Sequence, residues 1–276
     1  MTTLTLTKHH GLGNDFLVVF HAPVAESHLP ELARRLCDRR RGIGADGLLI
    51  AESPPGDHEA TTRYGATMVL FNADGSRAEM SGNGIRCFAQ ALSMRHGGDL
   101  DPVTIHTDAG IRDVEVEATD DPATLLVTVD MGSVDPIDEP AGWADLECHP
   151  DRPVAHLSLG NPHSVVGVDE VGVVDLAVLG GKVPHVNLEI VEPGPRQNEV
   201  RMRVHERGAG ITEACGTGAC ASAVAAASWG LATPADSKLV VHMDGGSATV
   251  ALDTPSPGRV SLTGPASYVA TIEIEV

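Results

Sequence analysis

The chain has 276 residues, of which 42% are hydrophobic, and its formal net charge is −19 at pH 7. This length is sufficient to bury a sizeable core and favours two domains over one. The negative charge argues against a general nucleic-acid or anionic-membrane surface, because such surfaces need clustered cations. We therefore expect no nucleic-acid partner and no membrane partner.

The sequence carries no signal of export. The N-terminal segment lacks the apolar core of a signal peptide, and no later run approaches the ~18 apolar residues of a membrane span. The five cysteines are an odd number without zinc-type CxxC spacing, and the thirteen histidines show no metal-site pattern. We therefore expect a cytoplasmic protein with free thiols and no metal.

Hydrophobic periodicity and turn residues predict an alternation of strands and helices in the first half of the chain. The helices are expected at 29–40 and 83–96, and the strands at 4–9, 16–20, 47–53, 67–72, 103–108, 113–119 and 125–130. The basic run at 34–42 is interpreted as a solvated helix face rather than a nucleic-acid patch. GIGADG (42–47) matches GxGxxG, but it follows a helix and precedes a strand, so it is interpreted as a turn.

The second half of the chain has the same character. One helix is expected at 217–229, with strands at 154–159, 164–168, 187–192, 199–206, 239–243, 247–252, 259–263 and 268–276. The polar segment 118–126 is typical of a hinge or hairpin turn, and 135–153 of a surface loop. Strands dominate both halves, and each half has one prominent central helix.

A short motif occurs twice. EMSGNG, Glu79 to Gly84, aligns with EACGTG, Glu213 to Gly218, and each copy runs into an alanine-containing helix. This indicates an internal repeat of the whole unit. We therefore expect two domains related by a pseudo-two-fold axis, with both helix N-termini at one cleft.

The repeated motif has the composition of an anion site. The first N–H groups of a helix have no partner within the helix, and the helix dipole places partial positive charge there. Glycines let the backbone approach a ligand, so each copy is suited to hold a carboxylate. The same field lowers the pKa of a cysteine, which makes Cys215 a candidate base. The alternative is a tight turn with a buried apolar Cys215. Cys87 and Cys220 are expected to be core residues.

Other polar residues could complete a site, although each has a structural explanation when judged alone. Glu206 and Arg207, in HERGAG, could bind an ammonium and a carboxylate group, or could form an exposed ion pair. A histidine in the context of His163 is more often structural than catalytic when judged alone. The asparagines that stand at strand ends or turns, where asparagine is common for local reasons, are Asn14, Asn72, Asn161 and Asn187.

These motifs together resemble the diaminopimelate epimerase family nearly end to end. They are GLGNDF (11–16), RGIGADG (41–47), FNADGS (71–76), GNGIRCFA (82–89), GNPHSV (160–165), ERGAG (206–210) and ACGTGACA (214–221). The resemblance implies an α/β (α+β) fold of two pseudo-symmetric domains, each a β-barrel-like sheet around a central helix. The domains would be 1–119, joined by the returning strand 264–276, and 120–263, with the active site between them.

The resemblance also implies the chemistry. Members interconvert LL- and meso-diaminopimelate, for lysine and peptidoglycan synthesis, as homodimers that use no cofactor and no pyridoxal phosphate. One cysteine thiolate removes the α-proton while an opposing thiol delivers another. Cys215 matches one of these cysteines, and Ser81 stands at the position of the other.

The remaining site residues are carried over in the same way. Amides at Gly82–Asn83 and Gly216–Thr217 would hold the α-carboxylate, Glu206 would contact the α-amino group, and His163 would assist near the thiols. Gly47 departs from members that carry glutamine there, so that contact would be lost or made by backbone. The distal end of the substrate would be recognised by Asn14, Asn72, Asn161, Asn187 and Arg207.

Ser81 sets the expected activity. A serine hydroxyl preserves packing but is a much weaker acid than a thiol, so we expect a severely slowed epimerase that keeps its ligand site. An engineered Cys→Ser change and a natural divergence both account for Ser81, and the otherwise intact site favours the first. Two alternatives remain: a proline/hydroxyproline racemase-like isomerase of the same fold, and a non-catalytic amino-acid-binding protein.

Overall fold

The computed structural model describes residues 3–21, 24–52, 65–98 and 102–275. The chain divides into two compact units, Met1–Val129 with Gly264–Val276, and Asp130–Thr263. The boundary predicted at 119/120 therefore lies at 129/130. The reason is that the strand after the hairpin turn pairs back with the first unit, with Val114 opposite Val129. Residues 53 and 276, which end two predicted strands, lie outside the described residues.

The described part of the first unit contains two α-helices and most of the N-terminal strands. The helices are α1 (Leu29–Cys37) and α2 (Gly82–Arg95), and the strands are β1 (Thr3–Gly11), β2 (Asn14–Phe20), β3 (Gly47–Glu52), β4 (Ala66–Asn72), β5 (Arg77–Ala78), β6 (Val103–Thr107), β7 (Gly110–Ala118) and β8 (Thr124–Ser133). Strand β1 pairs antiparallel with both β2 and β17 (Arg259–Glu275). Strand β3 pairs parallel with β2 and antiparallel with β4.

Helix α2 is the central element of the first unit. Every residue from Gly82 to Ser93 is buried, and the helix contacts β1, β2, β3, β4 and β7. It ends at Arg95, where Gly97 and Gly98 adopt positive φ angles that stop a helix. Helix α1 covers the other face of the sheet with an apolar side that includes Leu32 and Leu36.

The second unit repeats this plan around α4 (Gly216–Ser228). The further elements are β9 (Asp135–Pro136), β10 (Val154–Ser158), β11 (Pro162–Gly167), α3 (Leu176–Lys182), β12 (Asn187–Pro193), β13 (Glu199–Glu206), β14 (Gly210–Thr212), β15 (Lys238–Met243) and β16 (Gly246–Leu252). Helix α4 is alanine-rich, and its small side chains allow close packing against β10, β11, β12, β13, β15 and β16. Strands β11 and β12 are parallel, whereas β12 and β13 are antiparallel.

The structure confirms the α/β fold class and corrects several elements. The expected helix 29–40 ends at Cys37, because Asp38 leaves the helical region and its carboxylate accepts hydrogen bonds from the N–H groups of Arg40 and Arg41. The strands expected at 259–263 and 268–276 are one strand, β17. The predicted surface loop 135–153 contains a 3-10 turn whose Trp143 is buried, and helix α3 was not predicted.

Candidate active site

The two copies of the repeated motif adopt the same local structure. Ser81 precedes α2 with φ −139° and ψ 123°, and Cys215 precedes α4 with φ −129° and ψ 114°. Ser81 Oγ accepts a hydrogen bond from the N–H of Gly84 at 3.0 Å, and Cys215 Sγ accepts one from Gly218 at 3.4 Å. Each side chain therefore caps its helix at the point where the dipole is most positive.

The third residue of each helix is a glycine, at a position with little room for a side chain. A Cβ atom at Gly84 would lie 3.0 Å from the Cβ atom of Ser81, and one at Gly218 would lie 2.7 Å from Oε1 of Glu189. The glycine thus lets the capping side chain, and in α4 a carboxyl group, sit against the helix backbone.

The Ser81 cap should make a measurable contribution to the free energy of unfolding. Replacing Ser81 with alanine removes the acceptor for Gly84, and loss of such a cap costs about 1 kcal/mol. We expect Ser81→Ala to lower the free energy of unfolding by that amount in urea denaturation. Ser81→Asn keeps a capping oxygen and should be close to the parent. An alanine variant as stable as the parent would show that the cap contributes nothing.

Two predicted asparagines meet at the start of α2. Asn83 Nδ2 donates to Asn14 Oδ1 at 3.1 Å, and Asn14 Nδ2 donates to Asp46 Oδ2 at 2.7 Å. The same Asp46 oxygen accepts from the N–H of Asp15 at 3.0 Å. Asp46 therefore orients Asn14, which in turn holds Asn83 in the first turn of the helix.

The basic run identified in the sequence supports this arrangement. Arg39 donates to Asp15 at 2.6 Å and to Asp46 at 2.7 Å, and Lys8 lies 2.8 Å from Asp15. Burial acts to raise the pKa of Asp15, but the hydrogen bonds from Arg39 and Lys8 outweigh it and the pKa is lowered. Arg39 is thus engaged with carboxylates of its own unit, rather than forming a patch for phosphates.

Gly47 and Asn72 lie opposite each other in the β3–β4 ladder. Asn72 is exposed, and its Nδ2 donates to Ser76 Oγ at 3.0 Å. A Cβ atom at Gly47 would lie 2.9 Å from the carbonyl oxygen of Phe71 and 3.1 Å from the ring of Phe16. A glutamine at this position would therefore require its neighbours to move.

In the second unit, a chain of hydrogen bonds leads to Cys215. Its Sγ lies 3.5 Å from Thr217 Oγ1, which accepts from Asn161 Nδ2 at 3.2 Å. Asn161 Oδ1 lies 3.1 Å from His163 Nε2. The structure thus joins Thr217, Asn161 and His163, all predicted site residues, to Cys215.

Glu189 extends this chain and was not predicted. Its Oε1 lies 2.6 Å from His163 Nδ1, and both side chains are fully buried. Burial raises the pKa of Glu189, and the nearby charge of Glu206 acts in the same direction, while His163 opposes them. The sequence signal was present, since NLEIVEP places Glu189 between two apolar residues of a predicted strand, two residues after Asn187.

The predicted lowering of the Cys215 pKa is wrong. Burial raises the pKa of this thiol well above its usual range, and the charges of Glu206 and Glu189 raise it further. Hydrogen bonds from Thr217 and Gly218 act to lower it but are outweighed. The raised pKa favours the thiol form of Cys215, because burial beside two carboxyl groups disfavours the charged thiolate.

Replacing Glu206 with glutamine should lower the pKa of Cys215, because it removes one of the charges that disfavour the thiolate. We expect the pH at which alkylation of Cys215 is half-maximal to fall by about one unit. Peptide-resolved mass spectrometry after iodoacetamide treatment measures this. Glu213→Gln, two residues before Cys215 but exposed, is the matched control. An unchanged or higher midpoint for Glu206→Gln would contradict the assigned cause.

Asn187, Glu206 and Arg207 form a third group. Asn187 Oδ1 accepts from the N–H of Arg207 at 2.8 Å, and Thr212 Oγ1 donates to the carboxylate of Glu206. Asn187 also lies beside His163 in the β11–β12 ladder. The Arg207 side chain is exposed. Asn187 thus holds the backbone that presents Glu206 and Arg207.

The remaining predictions concern cysteines, metals and membranes. Cys87 and Cys220 are fully buried, as expected of core residues. Within the described ranges, no group of three or more His, Cys, Asp or Glu side chains could hold a metal ion. The helices in the part of the chain that the structure describes are too short or too polar to cross a membrane.

Comparison with known proteins relates the chain to one family. Residues 6–137 and 156–269 match the family described as diaminopimelate epimerase. The diaminopimelate epimerase of Synechococcus elongatus is 40% identical, and the alignment covers 99% of each chain. That of Desulfitobacterium hafniense is 38% identical, with 96% of each chain covered.

Solved structures share the fold at low identity. A phenazine biosynthesis protein of the PhzF family from Bacillus anthracis has a TM-score of 0.75, with 16% identity and 100% of each chain covered. A hydroxyproline epimerase from Agrobacterium vitis has a TM-score of 0.71, with 17% identity, covering 99% of this chain and 92% of that one. The curated relatives, by contrast, match nearly end to end at about twice this identity. The chain therefore belongs to the diaminopimelate epimerase family.

Proposed function

We propose that this chain interconverts LL- and meso-diaminopimelate by proton transfer at the α-carbon, with Cys215 as one acid–base residue and Ser81 in the place of the other. The observation that carries the proposal is the matched capping geometry of these two side chains at the entrances of α2 and α4. Both stand where backbone N–H groups favour negative charge. The reaction serves lysine and peptidoglycan synthesis.

Substrate binding would use the groups around these entrances. First-turn amides at Gly82–Asn83 and Gly216–Thr217 are suited to an α-carboxylate. Glu206, half-buried and held by Thr212, is suited to the α-ammonium group. The distal amino-acid end would be bound by Asn14, Asn72, Asn161, Asn187 and Arg207, with Gly47 contributing backbone only.

The proposed proton transfer begins with activation of Cys215. An ammonium group at Glu206 offsets the negative charge that raises the thiol pKa, so binding of substrate favours the thiolate. The thiolate takes the α-proton and becomes a thiol, while the electron pair remains on the α-carbon and spreads into the carboxylate. First-turn amides stabilise that charge. His163 supports Cys215 through Asn161 and Thr217.

Ser81 limits the second half of the reaction. Epimerisation needs a proton delivered to the opposite face of the α-carbon, and the family uses a thiol for that step. A hydroxyl group is a poor proton donor to, and a poor base toward, an α-carbon near neutral pH. We therefore propose that turnover is strongly reduced while substrate binding is retained.

Cytoplasmic location and a homodimeric state are also proposed, both from the family. Light scattering coupled to size exclusion tests the second. A mass of twice 28.7 kDa is expected. A mass of one chain at micromolar concentration would contradict it.

The experiment that tests the function is direct conversion of LL-diaminopimelate, followed by chiral chromatography. We expect slow formation of the meso isomer and no change in L-proline or trans-4-hydroxy-L-proline. Conversion of a proline substrate in preference would support the racemase alternative. Binding of diaminopimelate without any conversion or α-proton exchange would show a binding protein instead.

A further inference from the structure

Glu189, which forms a buried pair with His163, has no assigned role in the proton transfer proposed above. Both side chains have no exposed surface, and their contact is 2.6 Å. A buried titratable pair is costly unless its hydrogen bonds serve a defined arrangement. The position of the pair, at the far end of the chain that reaches Cys215, points to such an arrangement.

The donor direction along this chain follows from its chemistry. Asn161 Nδ2 can only donate, so Thr217 Oγ1 accepts from it and its hydroxyl proton is available to Cys215 Sγ. Asn161 Oδ1 can only accept, so His163 Nε2 must carry a proton. Every donor from His163 onward therefore points toward the sulfur.

Glu189 determines whether His163 can hold that proton on Nε2. Its Oε1 faces His163 Nδ1, and its Oε2 has no hydrogen-bond partner among the described residues. An ionised carboxylate with one bare oxygen is unfavourable in a buried position, whereas a protonated one can donate from Oε1 to Nδ1. Burial raises the pKa of Glu189 in the direction of the neutral form, and only the ionised form adds the charge that disfavours the Cys215 thiolate.

We propose that Glu189 is a positioning residue, which keeps His163 protonated on Nε2 and thereby orders Asn161 and Thr217 so that the Thr217 hydroxyl donates to Cys215. This inference rests on the proposed function, in which Cys215 is an acid–base residue. Its effect is to supply a second donor, beside the Gly218 amide, that stabilises the thiolate.

The test compares Glu189→Gln with Glu189→Leu. Both remove any charge at this position, but only glutamine can donate to His163 Nδ1. We expect the alkylation midpoint of Cys215 to be about one pH unit higher in Glu189→Leu than in Glu189→Gln, through loss of donation from Thr217. Equal midpoints in the two variants would overturn the proposal. The melting temperature of each variant reports a purely structural effect of the substitution, and the cycle below separates that effect from the change in midpoint.

A double-mutant cycle tests whether the effect of Glu189 on Cys215 passes through Thr217. In a Thr217→Val background the chain is interrupted next to Cys215, so the difference between the glutamine and leucine variants should disappear. Should Glu189→Leu fail to fold, Asn161→Leu breaks the chain at a less buried position and is expected to raise the midpoint equally. A midpoint unchanged by Asn161→Leu would also refute the proposed role of this hydrogen-bond chain.

Failure of this inference is distinguishable from failure of the proposed function. Alkylation is measured without substrate, so it reports the surroundings of Cys215 independently of epimerase activity. In the leucine variant, kcat for α-proton exchange should fall about tenfold with little change in KM. If the midpoint shifts but the parent shows no α-proton exchange, the role of the hydrogen-bond chain is supported and the proposed epimerase function is refuted.

Discussion

Ser81→Cys should raise the rate of diaminopimelate epimerisation by at least about 10³-fold, because each 1.36 kcal/mol removed from the barrier is worth about tenfold and a thiol is a far stronger acid than a hydroxyl. The site can accept the sulfur, since Cys215 already caps α4 with nearly the same backbone angles that Ser81 has. The increase should appear in kcat, because the substitution leaves the binding groups in place. Steady-state conversion of LL-diaminopimelate measures it.

The control for this experiment separates acid–base chemistry from helix capping. Ser81→Asn keeps a capping oxygen but has no exchangeable hydroxyl or thiol, so it should fold normally without any gain in rate. A cysteine variant no faster than the parent would refute the role assigned to position 81.

Cys215→Ala should abolish the exchange of the substrate α-proton with solvent deuterium. In the parent chain the Cys215 thiolate can remove the proton and return a deuteron even when delivery from Ser81 is slow. Alanine has no group for either step, so we expect a loss of at least about 10³-fold in the exchange rate, measured by NMR.

A matched control for the alanine variant is Cys148→Ala, at a half-buried cysteine of the same unit that lies outside the helix entrance. Its exchange rate should equal that of the parent. Exchange that persists in Cys215→Ala would show that another group removes the α-proton.

Much of the site could be predicted because it depends on local sequence. The two capping motifs need only a short extended residue and a glycine three positions later, and both copies fold as expected. Asn14 and Asn187 begin strands and Asn72 ends one, as their turn propensity indicates. Hydrophobic periodicity, which is also a local property, predicts helices α1, α2 and α4 and most strands.

The parts that could not be predicted depend on contacts between distant segments. The raised pKa of Cys215 results from burial beside Glu189 and Glu206, which come from two other strands. Glu189 belongs to no motif, and its side-chain contact with His163 identifies its role. The domain boundary also differs from the prediction through contacts between distant segments, since β8 continues the sheet of the first unit.

The most direct test of the central claim is the ratio of α-proton exchange to epimerisation in deuterated water, measured on the unaltered chain for each diaminopimelate isomer separately. Because Cys215 is a strong proton carrier and Ser81 a weak one, the ratio of exchange to epimerisation should differ between the two isomers. The isomer whose α-proton faces Cys215 should exchange at least about ten times faster than it epimerises, and the other no faster than it epimerises. Equal ratios for the two isomers would contradict the account.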